Sequence, residues 1–197
     1  MTTTAGRPRS FDTDVVLDRA VELFWGRGYR DTTTRDLEKQ LGISQSSLYN
    51  AFGSKQGLMS AALDRYERLT EEALLAPLET SPDGLDAIDV FFDALAKWVT
   101  GKGRGGCMII NLMADDGGTD AAVTARTRSY RRRVRDALRD ALVRGAGRKD
   151  ADIRADLLLG EVLGINVAAR GAASPQEVHR LVAGAHHLID GWRPTAG

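Results

Sequence analysis

Residues 33–55, TTRDLEKQLGISQSSLYNAFGSK, constrain this chain more than any other stretch. The segment reads as two short helices about a tight turn, followed by the start of a third. Thr33 is placed to cap the first helix, on which Leu37 and Leu41 share a face four residues apart. Gly42 ends that helix, because glycine enters the left-handed region at little steric cost. Ile43 fills the turn and Ser44 caps the second helix. There Leu48 and Phe52 point inward and leave Gln45, Ser46, Tyr49 and Asn50 outside. An outer face of small hydroxyl and amide side chains with one tyrosine suits base edges and flanking phosphates. The pattern is a helix-turn-helix.

The flanks extend it. Upstream, VVLDRAVELFWGRGY forms a helix ending at Gly28-Tyr29, followed by Thr32-Thr33; downstream come Phe52-Gly53-Ser54-Lys55 and Leu58. This ordered set over Phe11 to Tyr66 resembles the N-terminal domain of the TetR family of transcriptional regulators. The resemblance implies an all-α fold of about nine helices. It divides the chain into an arm at 1–10, a helix-turn-helix DNA-binding domain at 11–56 and an effector-binding and dimerisation domain at 57–197. It further implies a homodimeric, ligand-responsive regulator, more often a repressor than an activator, on a palindromic double-stranded DNA operator.

Gln45 and Ser46 occupy the first turn of the recognition helix, where a glutamine amide can pair two-pronged with adenine. Ser47 and Asn50 are further base or phosphate readers. Thr33, Thr34, Tyr49 and Lys55 are the expected DNA-backbone contacts, as the matching family positions of Thr33, Tyr49 and Lys55 commonly are. Arg7 and Arg9 give the arm two charges for a neighbouring groove. Against these stand plainer roles: Thr33 and Ser44 as caps, Gln45 as a solvated side chain. Two positions depart from the family pattern. Ala51 replaces a frequent histidine, removing one backbone contact, and Ser46 replaces a frequent glycine.

Composition narrows the alternatives. Lys plus Arg equal Asp plus Glu at 27 each, so attraction to DNA must be local. No apolar run reaches the eighteen or so residues that cross a bilayer, and MTTTAGRPR has no signal-peptide core, which points to the cytoplasm. One cysteine excludes an internal disulfide. Walker, dinucleotide and nucleophile-elbow motifs are missing, so neither an enzyme nor a cofactor is expected. His179, His186 and His187 have poor zinc spacing.

Helical spacing continues to the C-terminus. A fourth helix is expected from Ser54 to about Leu75, with Met59, Ala62, Tyr66 and Leu69 inward, stopped by Pro77. A fifth follows Ser81-Pro82-Asp83, and a glycine-rich loop spans Thr100 to Gly106. CMIINLMA forms a sixth. Thr119 caps a seventh, with Val123, Tyr130, Val134, Leu138 and Leu142 inward, broken at Gly145-Ala146-Gly147. The arginines between Arg126 and Arg139 are expected to face solvent, or else to meet an acidic ligand.

The last two helices are apolar on more than one side and rich in small residues, including Gly160, Gly164, Ala168 and Gly184. They either close a monomer core or form half of a four-helix dimer interface, which the resemblance favours. It also implies an effector pocket, for which Phe91, Phe92, Trp98, Cys107, Met108, Asn111, Met113 and Tyr130 are candidates; ligand binding there would rotate the fourth helix and change the spacing of two reading heads. Each is equally readable as core. Cys107 suggests a second trigger, a thiol sensing oxidants or electrophiles, since a helix N-terminus and nearby Lys102 and Arg104 favour a thiolate. An inert buried cysteine is the competing reading.

Overall fold

The structure, a computed structural model, describes residues 11–101, 105–116 and 121–193. Every regular element among them is helical. The chain divides into two compact units, the first ending at Tyr66 and the second beginning at Glu67. Arg7, Arg9, Lys102, Arg104 and the cap expected at Thr119 lie outside the described residues.

In the first unit, α1 (Thr13–Arg27) starts where the Asp12 carboxylate accepts hydrogen bonds from the N–H groups of Asp14 and Val15, at 2.9 and 3.4 Å. Its buried side is Val16, Leu17, Ala20, Val21 and Phe24. Helix α2 (Thr34–Leu41) opens on a reciprocal capping box between Thr33 and Asp36 and closes at Gly42, whose φ is 69°. Helix α3 (Gln45–Phe52) is capped by Ser44. These helices and the first turns of α4 (Lys55–Thr70) bury Leu37, Leu41, Ile43, Leu48, Leu58, Met59, Ala62 and Tyr66. Each large apolar side chain removed from water stabilises the unit by roughly 1.5–3 kcal/mol before entropy is charged. The Trp25 ring meets Tyr66 edge-on at 5.2 Å, and Arg65 pairs with Asp18 at 2.8 Å.

Leu69, expected inside, is exposed; Leu63 and Thr70 take the buried positions instead. Nor does Pro77 stop the helix. After Thr70 the backbone widens into a π turn, Glu71–Leu75, and continues as α5 (Ala76–Thr80) with Pro77 in its first turn. The Ala76 N–H donates to the Glu71 carbonyl, five residues back. A wider turn moves the preceding carbonyls away from a ring that would otherwise collide with them, and proline has no N–H to lose at a helix start. The shift in register turns Leu74, Leu75 and Leu78 inward.

The second unit continues with α6 (Gly84–Thr100), α7 (Met108–Asp116), α8 (Ala121–Ala146), α9 (Ala151–Arg170) and α10 (Pro175–Asp190). With α4, the π turn and α5 counted as one uninterrupted rod, the described residues form nine helical segments, in agreement with the all-α expectation. Asp83 caps α6, and Ser174 and Glu177 form the capping box of α10. Helix α8 ends within the expected Gly145-Ala146-Gly147 stop, and Gly145 has a packing role as well. A Cβ there would lie 2.6 Å from the Leu85 nitrogen, and one on Gly84 would strike the Ala141 carbonyl, so this glycine pair lets α6 and α8 cross at backbone distance. The last helical residue is Ala146, and Gly147 follows it with φ 81°.

On the arginine-rich helix, Arg128, Arg131 and Arg132 face solvent as expected, while other arginines are paired. Arg126 meets Glu67 at 2.6 Å, Arg133 meets Glu71 at 2.6 Å, and Arg135 meets Asp156 at 2.6 Å and Asp152 at 3.0 Å. Arg144 donates to the Leu78 carbonyl. These contacts tie α8 to the π-turn rod on one side and to α9 on the other.

Candidate nucleic-acid interface

The recognition helix is set by its own first residues. Ser44 Oγ accepts from the Ser47 N–H at 3.2 Å, donates to Ser47 Oγ at 2.9 Å and lies 3.0 Å from Ser46 Oγ. With Leu48 buried, the helix cannot rotate about its axis, and Gln45, Ser46, Tyr49 and Asn50 face outward. Phe52 and Ser47 are half-buried at its flank. Gln45 Nε2 donates to the Tyr49 hydroxyl at 3.4 Å, so two of the expected readers already touch.

Glu38 was not anticipated as part of this surface. Its carboxylate accepts from the Gln45 N–H at 3.3 Å, occupying an amide at the start of α3 that would otherwise be open to an anion. The three-residue turn brings the last turn of α2 against the first turn of α3, and only that geometry gives Glu38 a role.

Thr33 lies at the start of α2, exposed, with its hydroxyl donated to Asp36 Oδ2 at 2.6 Å. The Asp36 carboxyl is held far below the usual range by hydrogen bonds from the Thr33 side chain and backbone, and by Arg27 at 2.6 Å. Thr33 is therefore a working cap. Thr34 is half-buried in the first turn.

Lys55 begins α4 beside Ser54, whose Oγ accepts from the Gly57 N–H at 2.9 Å. Gly57 escaped the sequence reading, yet a Cβ there would collide with the Phe52 carbonyl. Glycine is what lets α4 start directly against the end of α3, with Lys55 at the edge of the recognition surface. Ala51, half-buried, contributes no polar group.

The effector candidates lie in the second unit. Phe91, Phe92, Met108, Cys107 and Asn111 are buried; Trp98, Met113 and Tyr130 are half-buried. Asn111, polar on an apolar helix, donates to the Gly105 carbonyl at 2.6 Å and so fastens the turn that opens α7. The phenol of Tyr130 is enclosed; burial is the main cause of its raised pKa, Cys107 pushes the same way and a hydrogen bond with Thr70 opposes. A groove of about 450 Å³ along α8, lined by Glu79, Arg132, Arg133, Asp136 and Arg144 among others, contains none of these candidates.

Residues 16–62 match the model for bacterial regulatory proteins of the tetR family. Over 186 residues the chain is 33% identical to the HTH-type transcriptional repressor ComR of Escherichia coli, covering 89% of this chain and 88% of that protein. The chain belongs to the tetR family. It is a DNA-binding transcriptional regulator with an N-terminal helix-turn-helix. Among solved structures, a cysteine-substituted variant of the TetR family transcriptional regulator CifR, complexed with 26-bp double-strand operator DNA, superposes with a TM-score of 0.84. It is 26% identical, over 95% of this chain and all of that one. A TetR transcriptional regulator from Chloroflexus aurantiacus shares the fold, with a TM-score of 0.79 at 24% identity over 90% of this chain and 93% of its own. Among the described residues of this tetR-family regulator, no helix is long and apolar enough to cross a membrane.

Proposed function

We propose that this regulator is a homodimeric repressor that binds a palindromic operator through two copies of α3 and is released by a small-molecule effector held in its second unit. The observation that carries the reading is the outward face of α3. Gln45 and Ser46 stand where a helix reaches base edges, with Asn50 and Ser47 beside them. Tyr49, Lys55, Thr33 and Thr34 surround that face as backbone contacts. The relatives support it: ComR is a repressor, and the CifR variant is complexed with operator DNA. The division of labour follows, with residues 11–56 reading DNA and 57–197 serving ligand and partner.

Dimerisation is supported by α9 and α10. Ile153, Leu157 and Val167 are 64, 52 and 64% exposed, and Leu181 is 37% exposed. Gly160, Gly164 and Gly184 have open space where a Cβ would stand. Spaced three and four apart, the α9 residues form one apolar seam with room for close approach by a second copy. Twofold symmetry then presents two recognition helices to two half-sites.

Selection of bound genomic fragments, followed by gel shift on the enriched duplex, tests the proposal. Binding to a palindrome by a dimer, lost in the double variant Gln45→Ala, Tyr49→Ala, is the expected result; binding without sequence preference overturns it.

Cys107 supports a second trigger through its position just before α7, beside the Tyr130 phenol. Its burial opposes direct attack by bulky reagents. Operator affinity of the wild type and Cys107→Ser before and after peroxide separates the two: unchanged binding in the oxidised wild type removes the thiol reading.

A further inference from the structure

The Lys55 ammonium lies 4.3 Å above the centroid of the Tyr29 ring. That ring is placed independently of the lysine. Gly28, with φ 83°, turns the chain at the end of α1, and the Tyr29 ring rests 5.9 Å from that of the fully buried Phe24. The core therefore sets a platform at which the start of α4 delivers its first side chain.

A ring face attracts a cation through its quadrupole and leaves the full charge in place. A carboxylate partner would instead compete with a phosphate for that charge. The ammonium has three donors, and those turned away from the ring remain available to a second acceptor. Lys55 is half-buried; this burial lowers its pKa, and the Asp31 carboxylate opposes the shift. Part of the water around the ammonium is already removed.

We propose that Tyr29 is a positioning residue for Lys55, holding its ammonium before DNA arrives at the point where it meets a backbone phosphate. The inference rests on the reading of Lys55 as a phosphate contact. Its physical content is preorganisation. A four-carbon side chain free in solvent loses rotamer freedom when a phosphate fixes it, whereas one resting on a ring has lost that freedom on folding. Tyr29 thereby strengthens operator binding without touching DNA.

The test is a double-mutant cycle on an operator duplex enriched by selection with the wild-type protein, with affinity measured across a salt series. Lys55→Ala is expected to weaken binding and to flatten the dependence of log affinity on log salt by about one unit. Tyr29→Leu, which keeps apolar bulk and removes the ring face, is expected to weaken binding about two- to tenfold. In the Lys55→Ala background the same change has no further effect, and Tyr29→Phe restores the affinity that Tyr29→Leu loses. If Lys55→Ala binds as the wild type does, the phosphate reading fails and this inference with it. If Lys55→Ala weakens binding while Tyr29→Leu does not, or weakens it equally in both backgrounds, the phosphate reading stands and the positioning role is overturned. Proton chemical shifts of the Lys55 ε-methylene give an independent readout should Tyr29→Leu misfold. An upfield ring-current shift in the wild type is expected, and an unshifted resonance refutes the placement.

Discussion

The backbone N–H of Cys107 donates to the buried Oδ1 of Asn166 at 2.6 Å, joining the opening of α7 to the middle of α9. The same amide donates from Nδ2 to the Val162 carbonyl at 2.7 Å, so both its polar ends are satisfied. Gly106 beside it has φ 81°, and a Cβ there would lie 2.5 Å from the Asn166 carbonyl oxygen. Asn166→Leu strands a buried donor and is expected to destabilise the protein by about 1–3 kcal/mol. Gly106→Ala is expected to cost about as much through backbone strain and collision. Urea unfolding of both variants checks this; midpoints equal to the wild type refute it.

Gln45 and Lys55 are expected to fail differently. Gln45→Ala removes the proposed base reader, with an expected cost of roughly 1–3 kcal/mol at one operator position and relaxed specificity there. Lys55→Ala weakens all sequences alike. Affinities measured on a panel of single-base operator variants separate the two patterns.

Leu157→Glu places a charge in the middle of the apolar seam on α9. The side chain is 52% exposed in the isolated chain, so folding is little affected, while in the proposed dimer burial of that charge between two copies is unfavourable. Sedimentation is expected to show monomers at concentrations where the wild type is dimeric, with operator affinity reduced at least about tenfold by loss of the second half-site.

The capping box of α2 makes a pH prediction. The Asp36 carboxyl is depressed in the folded protein, first by the Thr33 side chain, then by the Thr33 backbone and Arg27. A depressed acid contributes its stability above its unfolded pKa, and that contribution disappears as pH falls towards the folded value. Asp36→Asn is therefore expected to be less stable than the wild type at neutral pH. The gap should narrow steadily below about pH 4. Thermal melts from pH 7 down to acid test this, and a constant gap would count against it.

The helix-turn-helix was legible because it is built from neighbours. Thr33, Gly42, Ser44 and the Leu37, Leu41, Leu48 spacing act within a turn or two of where they stand, and each occupies its expected place. Capping and left-handed glycines are short-range physics, recorded in the order of residues. The same holds for the opening of α6 at Ser81-Pro82-Asp83.

What escaped depends on what lies opposite. Pro77 read as a stop signal, but packing of Leu74, Leu75 and Leu78 outweighs the local disruption through a π turn. Gly145 read only as part of the helix stop, and its second service, letting α8 touch α6 at Gly84, depends on the facing helix. Arg126, Arg133 and Arg135 of α8 read as part of a solvated face because the carboxylates they meet on other elements lie between 17 and 62 residues away. Glu38, Gly57, Tyr29 and Asn166 each act on a group from another helix or turn. The sequence by itself determined most of the helices, the caps at Thr33 and Ser44 and the outward face of α3, since those follow from contacts within a turn of chain. Only the tertiary structure decided which glycines are crossings, which arginines are ties and where Lys55 points, because those depend on atoms that folding alone brings together.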